Sequence, residues 1–338
     1  MANEVALGEI KTPPIIASTS AIENLPVGLF GSVMGLTGLS VAWGLAHQQY
    51  GVPESISKWI GAVAVLAFVL VASGYAVKII TAPQAVRAEF AHPIAGNMFG
   101  TFFISLLLLP IIIAPVDLLF ARIVCVIGAV LMTGFGWLTI DRWMNHRQQA
   151  AHATPAWIVP VVGMIDVPLA MPALGFESSL HGVAVLGLAV GLFFTIPLFT
   201  MIFSRLVFEE PLPKPLRASL MILMAPFAVG ASAYIATAGQ IDLFAESLYV
   251  LTLFMLVVLL GRLRYLANCC PFRVAWWAVS FPLAAAAVTA LHFAVAAPGG
   301  AADVIAMVLL GLATLIIFFL LVRTLSGVVR GELRTLNS

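Results

Sequence analysis

The 338-residue sequence carries very little charge. Asp, Glu, Lys and Arg together make up 9% of it, and 62% of its residues are hydrophobic. Soluble domains contain about 25% charged residues and about 45–50% apolar ones. A single globular core cannot hide this excess, because most of the surface of a folded domain still faces water. The composition excludes a cytosolic enzyme, a secreted disulfide scaffold and a disordered chain, and predicts an all-α protein that crosses a membrane several times.

Cysteine and recognisable catalytic motifs are also scarce. The three cysteines, Cys125, Cys269 and Cys270, lack the spacing of a zinc site. Sixteen basic and fifteen acidic residues give a net charge of +1 without a basic run, which argues against nucleic-acid binding. Neither a His-Glu-x-x-His motif nor a phosphate-binding loop occurs. The sequence therefore predicts no enzyme, metal site or cofactor, and no ATP-driven pump.

Long apolar runs are abundant instead. A helix needs about 20 apolar residues to cross the bilayer core, and ten such runs occur. They cover residues 25–47, 55–80, 94–115, 118–140, 156–175, 180–205, 216–238, 243–266, 273–297 and 302–325. Short loops leave no room for a separate soluble domain. We predict one transmembrane domain over residues 25–325, with cytoplasmic tails over residues 1–24 and 326–338.

Basic residues predict the orientation of these spans, because they concentrate on the cytoplasmic side. With ten spans, both termini lie on one side of an inner membrane. That side would carry fourteen of the sixteen Lys and Arg residues, and the opposite side only Lys58 and Arg122. The fourteen are Lys11, Lys78, Arg87, Arg142, Arg147, Arg205, Lys214, Arg217, Arg262, Arg264, Arg273, Arg323, Arg330 and Arg334. Both termini are therefore predicted to be cytoplasmic.

The starts of the odd-numbered spans repeat. Pro26, Pro93, Pro155 and Pro215 are separated by 67, 62 and 60 residues, and a fifth start near Phe272 follows 57 residues later. Proline is well tolerated at a helix start. A period near 60 residues corresponds to one helical hairpin, so the sequence predicts five hairpins that run the same way. Parallel repeats of this kind are related by an axis along the membrane normal.

Odd and even spans also differ in composition. Odd spans after the first carry interior prolines, and the first has glycines along one face. The even spans are more uniformly apolar. An interior proline leaves a carbonyl without its helical partner, and in a bilayer that group needs protein or water. We therefore expect the odd helices to surround a path. The candidate kink and lining residues are Gly31, Gly35, Pro110, Pro160, Pro226 and Pro282.

Short motifs on the five odd spans resemble those of the tellurite-resistance/dicarboxylate transporter family. Residues 25–31 read LPVGLFG, 89–93 read EFAHP, and 155–160 read PAWIVP. The seventh span has Arg217 followed by Ala225-Pro226, and the ninth has residues 276–282, WWAVSFP. No single motif is specific to the family, but the occurrence of five such motifs in order over residues 25–325 is a specific match. The family includes bacterial TehA, fungal malate and sulfite carriers, and plant guard-cell slow anion channels.

The resemblance implies a fold and a gate. It implies five helical hairpins in quasi-five-fold arrangement around a central pore, assembled as a homotrimer. It also implies that a phenylalanine of the ninth helix plugs the pore, and the matching residue is Phe281, beside Pro282. A large apolar ring at a constriction would strip an ion of water without offering ligands.

Asp166 is an exception in the otherwise uncharged middle of the odd spans. An intramembrane carboxylate is a functional candidate by default. A charged Asp166 in a pore would repel anions, whereas a titrating Asp166 could couple proton movement to transport. Alternatively, its side chain hydrogen-bonds to backbone groups freed by the neighbouring prolines.

Cationic groups near the cytoplasmic ends of odd spans are candidates for an anion-concentrating vestibule. They are Arg87, Arg217 and Arg273, and His92 is a candidate pH-sensitive group at the same end. The positive-inside rule alone also explains the arginines, and the favoured interpretation of His92 is a residue that caps or packs at the helix entry.

Two functions remain open at this point. The first is a passive, gated channel or permease for small anions, with Phe281 as its gate. The second is a proton-coupled carrier of C4-dicarboxylates such as malate or succinate, or of tellurite- or sulfite-like oxyanions. The sequence does not identify the physiological anion.

Overall fold

The computed structural model describes residues 22–269 and 272–331, apart from the side chains of residues 263–269. Most of the two predicted tails, residues 1–24 and 326–338, therefore lies outside the described residues. The same holds for Lys11, Arg334, Cys270 and the side chains of Arg264 and Cys269.

Ten helical spans in the described part of the chain are long and apolar enough to cross a membrane, which confirms the predicted number. They are numbered 1 to 10 here and comprise Val27–Tyr50, Glu54–Thr81, Ala95–Ile113, Leu118–Asn145, Pro155–Leu174, His181–Phe208, Lys214–Ala238, Leu243–Arg262, Val274–Ala296 and Ala301–Val329. The predicted boundaries agree within a few residues. Span 10 continues past its predicted end at residue 325 to Val329, and the helix of span 8 continues to Cys269.

All five odd spans begin in a tighter 3₁₀ conformation before they become α-helical. The 3₁₀ segments are Val27–Leu29, Ala95–Met98, Pro155–Ile158, Lys214–Met224 and Val274–Val279. The α-helices that follow four of them are Phe30–Tyr50, Phe99–Ile113, Ala225–Ala238 and Ser280–Ala296. In a 3₁₀ helix, side chains three residues apart lie in line and the hydrogen bonds are poorer than in an α-helix.

Span 5 is the most irregular of the ten. Its four prolines, at 155, 160, 168 and 172, divide it into the 3₁₀ start, a helical turn Val159–Val162, a second 3₁₀ segment Gly163–Ala170 and a final turn Met171–Leu174. Glycines of span 6 allow that helix to pack closely against it. A Cβ atom on Gly187 would lie 2.6 Å from the Met164 carbonyl oxygen, and one on Gly191 would lie 3.0 Å from the Ile165 nitrogen.

The odd spans lie inside the protein and the even spans at its periphery. Within the most apolar window of each span, 56–83% of residues are buried in the odd spans and 17–39% in the even spans. Each odd span packs against the even span that follows it. In addition, span 1 contacts spans 3 and 9, span 5 contacts spans 3 and 7, and span 7 contacts span 9.

Two features depart from the expected pattern. The even spans are not uniformly free of proline, since Pro197 lies inside the span 6 helix His181–Phe208. A short separate helix, Pro83–Ala91, also connects spans 2 and 3. The EFAHP motif therefore covers the end of this connecting helix and the turn after it, not the first turn of span 3.

Candidate functional site: a cavity among the odd spans

A cavity of about 520 Å³ extends from the N-terminal ends of the odd spans into the middle of the protein. All five odd spans contribute to its wall, together with Lys78 at the end of span 2 and the connecting helix. The lining residues of span 7 reflect its 3₁₀ geometry, in which side chains three residues apart lie in line. They include Leu216, Ser219, Ile222 and Ala225. The cavity is thus built mainly from the first half of each odd span.

The residues at the closed end of the cavity are mostly apolar. The residues that line it farthest along spans 1, 3 and 7 are Met34, Ile104 and Val229. On spans 5 and 9 they are the pairs 165–166 and 281–282, namely Ile165 with Asp166 and Phe281 with Pro282. Each odd span therefore contributes at least one apolar side chain to the closed end.

Phe281 lies at this closed end, directly after the 3₁₀ segment of span 9 becomes α-helical. It is 8% exposed and lines the cavity. A Cβ atom on Gly38 would lie 3.6 Å from Cδ2 of the phenyl ring, so the ring reaches across to span 1.

Glycines bring span 1 unusually close to span 9 beside this ring. A Cβ on Gly31 would lie 3.6 Å from the Trp277 Cβ, and one on Gly38 would lie 2.9 Å from the Ala284 Cβ. A Cβ on Gly35 would overlap the Ser280 hydroxyl. The glycine face of span 1 is therefore a helix-packing surface, with Gly31 also lining the cavity.

A buried ion pair lies at the entrance of the cavity. Lys78, 3% exposed, donates to Glu89 Oε2 at 2.6 Å and to the Leu25 carbonyl at 2.7 Å. Glu89 also accepts from the Tyr75 hydroxyl at 3.0 Å and from the Val27 backbone N–H at 2.8 Å. This network joins span 2, the connecting helix and the start of span 1, and it neutralises a carboxylate that lines the cavity.

The predicted vestibule groups are only partly brought together. Arg273 and His92 line the cavity, and His92 Nδ1 accepts hydrogen bonds from the backbone N–H groups of Ile94 and Ala95 at 3.2 and 3.0 Å. Arg87 is exposed on the connecting helix, outside the cavity lining. Arg217 is half-buried, and its Nε donates to the Leu212 carbonyl at 3.2 Å, also outside the lining.

Asp166 lies in the second 3₁₀ segment of span 5 and lines the cavity near its closed end. It is 3% exposed, and its Oδ1 is buried without a hydrogen-bond partner among the described residues. This oxygen therefore makes no hydrogen bond to the backbone groups freed by the neighbouring prolines.

Among the predicted kink and lining residues, the cavity brings together Gly31, Pro226 and Pro282. Gly35, Pro110 and Pro160 lie outside its lining. Gly35 faces Ser280, Pro110 is buried within the span 3 helix, and the Pro160 carbonyl packs near Gly136 of span 4. Lys78 and Glu89 were not predicted as site residues, although the glutamate belongs to the EFAHP motif and a lysine eleven residues earlier is a ready partner.

Comparison with known proteins decides the family. A family profile described as "Voltage-dependent anion channel" (SLAC1) matches residues 24–325. The chain belongs to the SLAC1 family. This confirms the family resemblance that the motifs of the odd spans indicated, and makes the chain a multi-pass membrane protein.

Individual relatives are similar to this chain at low sequence identity. The S-type anion channel SLAH3 of Arabidopsis thaliana is 28% identical over 310 residues, which cover 89% of this chain and 48% of the relative. The guard cell S-type anion channel SLAC1 of the same plant is 26% identical over 317 residues, 89% and 55% of the two chains. A tellurite resistance protein TehA homolog of Haemophilus influenzae is 26% identical over 272 residues, which cover 80% of this chain and 81% of the relative. The chain spans about half the length of these two plant relatives.

Proposed function

We propose that the protein is a passive anion channel or permease in which five helical hairpins encircle a central pore closed by Phe281. The observation that carries this proposal is the cavity that all five odd spans line and that ends beside Phe281. Burial of the odd spans and the contacts that link them from span 1 to span 9 and back support a ring with quasi-five-fold arrangement. Membership of the SLAC1 family supports anions as the permeant species.

The wall of the proposed pore suits weak anion binding. The N-terminal ends of the odd spans line the cavity, and a helix N-terminus carries partial positive charge. Arg273 and His92 add cationic or hydrogen-bonding groups at the entrance, while the Lys78–Glu89 pair is neutral overall. An anion held only by such partial charges can leave again, which conduction requires.

The closed end explains why such a path would not conduct at rest. An anion that passed Met34, Ile104, Val229 and Phe281 would lose water and gain no polar ligand from these side chains. The Phe281 ring packs close to Gly38 of span 1, so truncating that one side chain would open space at the closed end.

Phe281→Ala is the direct test. We expect anion currents, or chloride and nitrate fluxes into liposomes, to rise severalfold, since the cavity would connect with the other half of the pore. Phe293→Ala is the matched control, because Phe293 belongs to the same helix but stacks on Tyr249 with ring centroids 4.4 Å apart. Equal currents in wild type and Phe281→Ala, at equal surface expression, would reject Phe281 as the gate.

A second candidate, favoured by Asp166, is a proton-coupled carrier of C4-dicarboxylates or related oxyanions. A carboxyl that exchanges a proton within the path is what such coupling needs. Single-channel conductance would support the channel, whereas saturable uptake of malate or succinate driven by a proton gradient would support the carrier.

We further propose that the protein lies in the inner membrane as a homotrimer with both termini cytoplasmic. The distribution of Lys and Arg supports this orientation, and the family resemblance supports the trimer. Cysteine accessibility at introduced loop positions tests the first, and the mass of the detergent-solubilised protein tests the second.

A further inference from the structure

A buried carboxyl oxygen without a hydrogen-bond partner destabilises the folded protein. Asp166 is 3% exposed, and its Oδ1 has no hydrogen-bond partner among the described residues. Leaving a buried polar atom unsatisfied costs about 1–3 kcal/mol, and more for a charged group. The oxygen nevertheless belongs to a side chain that lines the cavity, next to Ile165 in the chain and in a wall that also includes Phe281.

The chemistry of the surroundings favours the neutral acid. The lining residues farthest along spans 3, 5 and 7 include the apolar Ile104, Ile165 and Val229. A charged carboxylate there would be largely removed from solvent, and it would repel any anion that entered the cavity. The protonated form carries no charge and has one O–H donor to offer.

We propose that Asp166 is a proton-binding site within the anion path, and that its neutral carboxylic acid donates a hydrogen bond to an anion held beneath Phe281. This inference rests on the proposed function. Deprotonation would remove the donor and place a negative charge in the wall of the path. Anion occupancy would thus require Asp166 to be protonated, and conduction would increase as the cavity becomes more acidic.

The other titratable groups on the spans that pack against the Asp166 segment can each be tested by substitution. The span 3 helix that packs against its segment contains none. Those of the other packed spans are Arg122, Cys125, Asp141 and Arg142 of span 4, His181 and Arg205 of span 6, and Lys214, Arg217 and Tyr234 of span 7. Cys125 packs with Ala170 and Leu174, one turn beyond Asp166. Glu23, Lys78, Glu89, His92 and Arg273 line the cavity nearer its entrance.

The test uses the Phe281→Ala background, so that the gate does not limit flux. In that background we expect chloride flux into liposomes to rise at least threefold as the pH falls from 8 to 5. With Asp166→Asn added, flux should stay high at all pH values, because the amide is neutral and donates a hydrogen bond. With Asp166→Leu added, flux should be independent of pH and at least threefold below that of the Asn variant.

Two matched controls accompany these variants. Asp141→Asn removes an exposed carboxylate of span 4 that accepts from Asn145 at 3.0 Å, and should leave the pH profile unchanged. His92→Gln is the competing variant, because His92 is the histidine that lines the cavity: if it were the pH sensor, this change rather than Asp166→Asn would flatten the profile. An unaltered pH profile in the Asn variant overturns the proposal, as does a profile abolished only by His92→Gln. Equal flux in the Leu and Asn variants overturns hydrogen-bond donation.

A spectroscopic measurement separates this inference from the proposed function. Infrared difference spectra of the purified protein should show a protonated carboxylic acid band that shifts when chloride is added and is absent from Asp166→Asn. If Phe281→Ala carries no anion flux at any pH, the proposed function fails, whereas a chloride-sensitive Asp166 band still supports the binding site. The absence of any such band between pH 5 and 8 overturns the proposal.

Discussion

Gly35 is a position where one added methyl group should do considerable harm. Span 1 and span 9 approach so closely there that a Cβ on Gly35 would overlap the Ser280 hydroxyl and lie 2.5 Å from the Ser280 Cβ. The Ser280 hydroxyl cannot turn away without loss, because it donates its one hydrogen to the Trp277 carbonyl at 2.7 Å, with the Gly31 carbonyl at 3.2 Å as a second acceptor. Gly35→Ala must therefore push the two helices apart.

The expected cost follows from overpacking. Inserting a carbon into a well-packed interior typically destabilises a protein by about 1–3 kcal/mol. The same substitution at Gly311 of span 10 meets open space and should stabilise that helix by roughly 0.5–1 kcal/mol, because alanine restricts the unfolded chain. Two identical glycine-to-alanine changes in membrane helices should therefore shift stability in opposite directions.

Thermal unfolding of the detergent-solubilised protein measures both effects. The Ser280→Gly variant provides the internal check, because only loss of the Ser280 Cβ makes room for an alanine at position 35. Gly35→Ala should cost far less in the Ser280→Gly background than in wild type, whereas Ser280→Ala should give little relief. If Gly35→Ala and Gly311→Ala melted alike, the close approach of spans 1 and 9 would be refuted.

Two further predictions concern polar contacts at the ends of the spans. Lys78→Met should destabilise the protein by about 3–5 kcal/mol, because it leaves a largely buried carboxylate unpaired; the double variant Lys78→Met/Glu89→Gln should recover most of that loss in the same unfolding assay. In the loop before span 8, the Tyr234 hydroxyl donates to Asp242 at 2.6 Å and, with backbone N–H donors, lowers the pKa of that carboxyl. A carboxyl whose pKa is lowered by folding stabilises the protein above its ordinary pKa, and this stabilisation is lost as the pH falls through the pKa of the folded state. Tyr234→Phe should therefore have a lower melting temperature than wild type at neutral pH, and the two melting temperatures should converge below about pH 4.

The sequence alone was sufficient for the membrane class, the ten spans and the family. These properties depend on local hydrophobic length and on short motifs, so Pro155 and the run after it identify span 5 without knowledge of its neighbours. The buried odd spans were also indicated by their prolines and glycines. The role of Phe281 came from the family motif, and remains a prediction until its variant is measured.

Only the tertiary structure decided what each polar or small residue faces. Gly35 and Gly31 share one helix face in the sequence, yet Gly31 lines the cavity while Gly35 faces Ser280, because span 9 crosses span 1 beside them. Lys78, which sequence reasoning treated as a marker of orientation, is buried in an ion pair because the connecting helix brings Glu89 to it. Hydrophobic length is a property of one segment, whereas a partner, a cavity or an unsatisfied oxygen such as Asp166 Oδ1 exists only once several segments have packed together.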